Sequence, residues 1–233
     1  MSRRGEVLKE MGLAPVWRLR NSAAAEPPFT PAEEQARPQN SVEQMDWPQL
    51  KAKVAGCNDC KLRAGCRQTV FGVGDENADW LLVGEAPGSE EDRLGEPFVG
   101  QAGRLLDNML AAICLSRGKN VYIANVLKCR PPGNRNPEPD EVARCAPHLL
   151  RQIGLIRPKL ILAMGRFAAQ TLLGTDATIA SLRGRVHQYA GVPLIVTYHP
   201  AYLLRNLPDK AKAWADLRFA VRTMEKGGQS NIS

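Results

Sequence analysis

The sequence predicts an α/β fold with three layers, α/β/α, in which a central four-stranded, mainly parallel sheet is flanked by helices. Four short apolar runs recur along the chain, at residues 80–83, 121–126, 160–164 and 194–198. Helical periodicity occupies most of the intervening sequence, at residues 103–116, 140–153, 166–173 and 209–226. This alternation is typical of a parallel sheet covered by helices on both faces. No apolar run approaches the 18 or so residues of a membrane span.

The chain divides into three parts by composition. Residues 1–46 form an N-terminal extension, with a short helix at residues 6–20 and then a flexible linker rich in Pro, Ala and Glu. Residues 47–226 form the folded domain, and Asp46 is a plausible N-cap for its first helix. Residues 227–233 are a disordered C-terminal tail. Two interpretations of the extension stay open: a tethered helix that recruits a partner protein, or a dispensable appendage.

The formal net charge of +7 is unevenly distributed. Residues 1–50 hold six basic and seven acidic residues, whereas residues 51–233 hold 25 basic and 17 acidic ones. The positive charge therefore belongs to the folded domain. Because each neutralised phosphate releases counterions, a basic domain favours polyanions, and nucleic acid is the leading class of partner. A solvated surplus of Lys and Arg is the alternative.

The first apolar run leads into a glycine-rich loop, G-E-A-P-G at residues 84–88. Gly84 and Gly88 let the backbone turn sharply and bring its N–H groups close to a ligand, while Pro87 stiffens the turn. Glu85 follows the strand directly, at the edge where open α/β sheets bind their ligands. The pattern indicates a functional loop, although an ordinary strand-to-helix turn would also explain it.

Polar residues follow the other three runs as well. Asn125 stands near the end of the second run, Gly165 and Arg166 follow the third, and His199 follows the fourth. Because the carboxyl ends of parallel strands share one edge, a carboxylate, an amide and an imidazole should converge in one crevice. Singly, each residue has an ordinary structural explanation. Together they predict an active site.

Four cysteines from two distant segments form a second group. Cys57 and Cys60 are a C-x2-C pair before the first strand, and Cys129 and Cys145 bracket a segment after the second. The chain start lacks the apolar stretch of a signal peptide, so we expect a reducing, cytoplasmic setting in which thiolates bind metal. A sulfur-only set suits tetrahedral zinc or an iron-sulfur cluster, and the spacing does not separate the two.

Two loops carry residue types suited to DNA. The first, K-C-R-P-P-G-N-R, is rigid and basic. Its guanidinium groups, on Arg130 and Arg135, can contact phosphates.

The second loop, H-P-A-Y-L-L-R, follows the last strand. Apolar side chains here, Tyr202 and Leu203 among them, can wedge into a base stack while Arg205 holds the backbone. One turn of core-packed helix is the alternative interpretation of Tyr202 and Leu203.

Taken together, the motifs resemble those of the family 4 uracil-DNA glycosylases, the iron-sulfur branch of that superfamily. The resemblance covers residues 47–222 and rests on the four cysteines and four motifs: G-E-A-P-G-S-E-E-D, P-F-V-G-Q-A-G, N-V-L-K-C-R-P-P-G-N-R and H-P-A-Y-L-L-R. It implies a 4Fe-4S cluster bound by Cys57, Cys60, Cys129 and Cys145, and so favours iron over zinc. It does not extend to the N-terminal extension.

The resemblance also implies a role for each residue of the crevice. Phe98 would stack on a flipped uracil, and Asn125 would pair with its polar edge. Glu85 and the Ala86 backbone would line the C5 side, where the methyl group of thymine would collide, and Gly84 would also belong to the substrate-binding set.

The resemblance also implies which residues would take part in catalysis. His199 would donate to uracil O2 as negative charge develops there. Glu85, the Ala86 backbone and Asn134 are candidates to position the attacking water, with Glu91 as a supporting carboxylate.

The implied function is base excision repair of deaminated cytosine: hydrolysis of the N-glycosidic bond in uracil-containing DNA, single- or double-stranded. We expect a monomer that does not associate with membranes. The alternative is a non-catalytic iron-sulfur module that binds DNA in replication or repair. That alternative explains the charge and the cysteines, but not the gathering of Phe98, Asn125 and His199.

Overall fold

The computed structural model describes Glu10 and residues 41–229, with side chains through residue 226. The chain separates into two compact units, Met1–Pro38 and Gln39–Ser233, and the second contains everything described below. The helix expected at residues 6–20 and its linker lie outside the described residues, apart from Glu10. Within the described part, no helix is long and apolar enough to cross a membrane.

Eight α-helices and six strands make up the described part of the second unit. The helices are α1 (Trp47–Ala55), α2 (Ser89–Leu94), α3 (Gln101–Ala111), α4 (Pro139–Ile156), α5 (Arg166–Leu173), α6 (Ile179–Leu182), α7 (Pro200–Arg205) and α8 (Lys210–Gln229). The strands are β1 (Val73–Gly74), β2 (Trp80–Gly84), β3 (Val121–Asn125), β4 (Leu160–Met164), β5 (His187–Tyr189) and β6 (Val192–Thr197).

The strands form one sheet in the order β1-β3-β2-β4-β6-β5. Its four central strands are parallel, which confirms the predicted α/β class and the predicted strands. The sheet has six strands rather than four, because β1 and β5 add antiparallel edges. These edge strands are two and three residues long and lack a continuous apolar run, so the pattern that found the others missed them.

Each face of the sheet buries its own apolar core, as a three-layer fold requires. One core joins alternate residues of the central strands to α4, α5 and α6, through Leu149, Ile153, Ala168, Leu172 and Leu182. The opposite core joins the intervening strand residues to α3 and α8, through Leu106, Leu110, Leu217 and Ala220. Because every central strand is covered on both faces, its apolar residues run without interruption.

The helix ends follow local chemistry. Asp46 caps α1 as predicted: its carboxylate accepts from the Gln49 N–H at 2.9 Å, and the Gln49 side chain accepts in return from the Asp46 N–H. The last helix continues to Gln229, three residues past the predicted end of the domain, and residues 230–233 lie outside the description.

Candidate active site and cysteine cluster

The carboxyl ends of β2 and β3 lie side by side and begin the site. Gly84 is the register partner of Asn125. A Cβ on Gly84 would overlap Asn125 Oδ1 and lie 2.6 Å from Phe98 Cζ, so only glycine lets these side chains come together here. The Phe98 ring stacks on the His199 imidazole, with centroids 5.4 Å apart. Phe98 and Asn125 therefore meet at Gly84, and His199 joins them through its stack on the Phe98 ring.

Asn125 presents an unmet hydrogen-bonding group. Its side chain is almost fully buried, yet Oδ1 has no hydrogen-bond partner within the described residues. Buried polar atoms in folded proteins are usually paired, so an orphaned amide oxygen at a sheet edge is available to a ligand. A ligand with an N–H group would satisfy it.

His199 is held as a neutral hydrogen-bond donor. Its Nδ1 accepts from the Ala201 N–H at 3.1 Å, which leaves the ring proton on Nε2. Burial, with a contribution from nearby Arg205, lowers its pKa to about 4, and Glu91 opposes this only in part. At neutral pH the ring is therefore uncharged, with Nε2–H free of the capping bond.

Glu85 lies half-buried at the end of β2. Burial raises its pKa to about 7, and the Arg166 guanidinium at the start of α5 works in the opposite direction. A carboxyl group with this pKa changes protonation near neutral pH, as general bases and water-positioning groups often do. Arg166, which the sequence placed on this edge, is thus an electrostatic partner of Glu85.

Glu91 ties two loops of the site together. Its Oε2 accepts from the Gly88 N–H at 3.1 Å, and its Oε1 accepts from the N–H groups of Val99 and Gly100 at 3.0 and 3.3 Å. The carboxylate therefore joins the loop after β2 to the loop that carries Phe98. This contact pattern indicates a residue that holds the two loops together, and its implied role beside the attacking water stays a prediction.

The basic loop after β3 is organised differently from the expectation. Arg135 makes two hydrogen bonds to the buried Glu141 carboxylate, at 2.5 and 2.9 Å, and these anchor the loop to α4. Its guanidinium is thereby neutralised, so the predicted phosphate contact fits Arg130 better than Arg135. Asn134 lies on an exposed turn, where its Oδ1 accepts from Arg130 Nε at 2.7 Å. Its implied role in positioning the attacking water stays a prediction.

Lys128, the first cation of that loop, is buried. Its ammonium donates to the Asn125 carbonyl at 2.9 Å and to Gln152 Oε1 at 2.7 Å, while its own N–H donates to Cys145 Sγ at 3.3 Å. Burial lowers the pKa of this lysine to about 8. The sequence indicated only that Lys128 is one of the cations of the basic loop, and this structural role was missed because the partner Gln152 lies on a helix 24 residues away.

The burial of residues in helix α7 also differs from what the predicted DNA contacts require. Leu203 is only 1% exposed and packs beside Tyr198 and Ala213, so it offers no surface to a base stack. Tyr202 stacks on Tyr198 and donates to Asp209 Oδ2 at 2.7 Å. The core-packing alternative therefore describes both residues. The exposed residues of this turn are Leu204 and Arg205.

The four predicted metal-ligand cysteines line a single cavity: Cys57, Cys60, Cys129 and Cys145. None of the six cysteines forms a disulfide. Burial raises the pKa of Cys129 and of Cys145, so both groups favour the neutral thiol unless a bound cation stabilises the thiolates. Four converging thiols with a backbone N–H aimed at one sulfur suit a metal centre.

A histidine that the sequence did not indicate borders this cavity. His148 is buried on α4, with Nε2 3.7 Å from Cys57 Sγ. Ligand atoms of Cys57, Asp59 and His148 lie within 4.8 Å of one another, so the site can hold a metal through cysteine and histidine. The spacing of His148 from Cys145 matches one helical turn, which could have flagged it.

Comparison with known proteins identifies the family. The model of the uracil DNA glycosylase superfamily matches residues 71–218. The type-4 uracil-DNA glycosylase of Archaeoglobus fulgidus is 47% identical over 160 residues, which cover 65% of this chain and 80% of the relative.

Two further relatives carry the same description. The type-4 uracil-DNA glycosylase of Pyrobaculum aerophilum is 41% identical over 74% of this chain and 92% of its own length. That of Thermotoga maritima is 43% identical over 70% of this chain and 85% of its own length. With its site residues meeting at the sheet edge and relatives this similar, the chain belongs to the uracil DNA glycosylase superfamily, among its type-4 members.

Proposed function

We propose that this protein removes uracil from DNA by hydrolysing the N-glycosidic bond, which leaves an abasic site for base excision repair. The observation that carries the proposal is the meeting of the Phe98 ring and the unpaired Asn125 amide at Gly84, with the neutral His199 imidazole stacked on that ring. The similar proteins from Archaeoglobus fulgidus and Pyrobaculum aerophilum are named uracil-DNA glycosylases, which supports the same activity here.

Recognition would begin when uracil leaves the base stack, at a cost that is smallest for mispaired or single-stranded uracil. Phe98 stacks on the pyrimidine face, a contact worth roughly 1–3 kcal/mol in aromatic-base stacking. Asn125 Oδ1, unpaired in the free protein, accepts from uracil N3–H, and its amide donates to O4. Cytosine has the opposite donor and acceptor pattern and would leave buried polar groups unpaired.

Bond cleavage would follow from charge development. As the bond from C1′ to N1 lengthens, electrons move onto uracil and positive charge grows on the sugar. The neutral Nε2–H of His199 donates to O2 and stabilises the uracil anion. A water oxygen bonds to C1′ while Glu85, as a carboxylate, accepts its proton, and the departing uracil anion is later protonated by solvent. The Ala86 backbone helps to place that water.

Discrimination against thymine would lie on the opposite side of the base. Glu85 and Ala86 follow Gly84 directly along the chain, where the C5 position of a base stacked on Phe98 would face them. In this proposal the C5 methyl group of thymine would collide with Glu85 and the Ala86 backbone, and thymine would be excluded sterically. DNA outside the pocket would be held by Arg130 and Arg205.

The cofactor proposal is a 4Fe-4S cluster bound by Cys57, Cys60, Cys129 and Cys145. Convergence of the four thiols on one cavity supports it, as does the Lys128 N–H bond to Cys145 Sγ. When bound, such a cluster supplies a rigid cross-link between the segment before β1 and the segment after β3. In this proposal the cluster is structural.

The test is excision from a labelled oligonucleotide with a single uracil, followed by alkaline cleavage of abasic sites. Wild-type protein should cut at uracil and not at thymine. Asn125→Ala and His199→Ala should lose most of this activity, whereas the matched controls Asn77→Ala, at an exposed asparagine, and His187→Ala should retain it. If cluster-loaded wild-type protein bound DNA without cutting it, the proposal would fail and the non-catalytic module would replace it.

A further inference from the structure

We propose that Arg117 is a positioning residue, one that fixes the ring of Phe98 in the orientation that stacking on uracil requires. The proposal rests on the proposed function, because it concerns the same pocket. Arg117 lies between α3 and β3, in a loop with the sequence S-R-G-K that suggests nothing beyond a surface turn. Its contacts show otherwise.

Phe98 adopts a backbone conformation that its residue type disfavours. Its φ angle is +57°, in the left-handed region, which bulky side chains rarely occupy. Such a conformation persists only where surrounding contacts enforce it, and it is typical of functional sites. Contacts from neighbouring groups must therefore hold the Phe98 backbone in this conformation.

Arg117 supplies one set of these contacts. Its Nη1 donates to the Pro97 carbonyl at 2.9 Å, and its Nη2 donates to the Phe98 carbonyl at 2.8 Å. Its Nε donates to Asp107 Oδ1 at 3.1 Å, which orients the guanidinium plane. The planar fork thus spans two consecutive carbonyls, a pattern that the single ammonium of lysine does not reproduce.

The other contacts come from the opposite side of the same loop. The Glu91 carboxylate accepts hydrogen bonds from the N–H groups of Val99 and Gly100, the two residues directly after Phe98. Gly103 packs against the Phe98 carbonyl so closely that a Cβ there would overlap it. The Phe98 backbone is therefore held between a cation on its carbonyls and an anion on the following amides, with helix α3 beneath it.

The orientation of the ring depends on this arrangement. The Phe98 ring contacts the Gly84 backbone on one side and stacks on His199, so a rotation of the backbone would move the ring out of the pocket. Without Arg117, Phe98 could relax toward negative φ. The loop would remain attached through Glu91, but the stacking surface would be misplaced.

A double-mutant cycle tests whether Arg117 acts through Phe98. Single-turnover excision and binding to an oligonucleotide with 2′-fluorodeoxyuridine, which resists cleavage, would be measured for wild type, Arg117→Met, Phe98→Ala and the double variant. Arg117→Met should lower excision and binding by about tenfold or more, the scale of a lost base stack. In the Phe98→Ala background the same change should cost less than about twofold.

The controls separate positioning from folding. Arg93→Met removes an exposed guanidinium that pairs with Glu90, and it should change neither excision nor binding. Melting temperatures report the folded state of each variant. If Arg117→Met did not fold, Arg117→Lys would take its place in the cycle, since lysine keeps the charge but loses the fork.

Two results would overturn the inference: an Arg117 variant that excises uracil as wild type does, or one that loses as much activity without Phe98 as with it. Either could occur while wild-type protein is a normal glycosylase. Failure of the proposed function is distinct, because wild-type protein itself would then leave uracil in place.

Discussion

Protonation of Glu85 should govern the pH dependence of excision. Burial raises the pKa of this carboxyl group to about 7, and only its ionised form can accept a proton from water. Between about pH 5.5 and about pH 8.5 the ionised fraction rises from roughly 3% to roughly 97%, so the rate should rise about 30-fold. His199, with a pKa of about 4, stays neutral over this range and adds no second step.

The assay is single-turnover excision with enzyme in saturating excess, so that DNA binding does not shape the profile. The Glu85→Gln variant should excise uracil roughly 100-fold more slowly than wild type at about pH 8.5, and its rate should not change with pH. Glu90→Gln, a matched change at the exposed glutamate paired with Arg93, should keep the wild-type profile. Arg166→Met should move the midpoint upward, because the Arg166 cation favours the ionised form of Glu85.

The reasoning would be refuted by a wild-type rate that does not change between pH 6 and 8, or by a rise that persists in Glu85→Gln. The first result would mean that the carboxyl group does not titrate where burial places it. The second would assign the titration to another group.

Two further predictions concern the cluster and the loop after β3. Cys129→Ser should lose visible absorbance and solubility together, because a ligand of the cross-link is gone, whereas Cys114→Ser, at an exposed cysteine, should lose neither. Arg135→Ala should lower the melting temperature more than Arg93→Ala, which breaks an exposed pair with Glu90. Since Arg135 lowers the pKa of Glu141, that stabilisation is present at neutral pH and is lost as pH falls through the lowered value.

The four central strands could be predicted from the sequence because they are buried on both faces of the sheet. Each reads as an unbroken apolar run, and the polar residue after each run falls on the same edge whatever the exact packing. Glu85, Asn125 and His199 could therefore be placed by position along the chain alone. The edge strands β1 and β5 form because they pair with a neighbouring strand. Segments of two and three residues carry no sequence pattern that predicts such pairing.

The predicted DNA contacts that the structure does not favour concern residues of similar type that differ in burial or in bonding partners. Leu203 and Leu204 are adjacent and chemically identical, and only the packing of α7 against Tyr198 buries the first and exposes the second. Lys128 and Arg135 are indistinguishable in the sequence as cations of one loop. In the structure both bind buried side chains of α4, Gln152 and Glu141. Long-range contacts of this kind leave no local pattern in a sequence.

The order of the strands has a consequence for how the protein is made. The strand that precedes Glu85 lies inside the sheet and pairs on both sides, with β3 and with β4, while His199 follows the last strand, more than a hundred residues later. Local contacts cannot bring these ends together, and the chain must close long crossovers before the pocket exists. An unfinished or truncated chain would thus have no place for a flipped base, so catalytic competence is acquired late in synthesis.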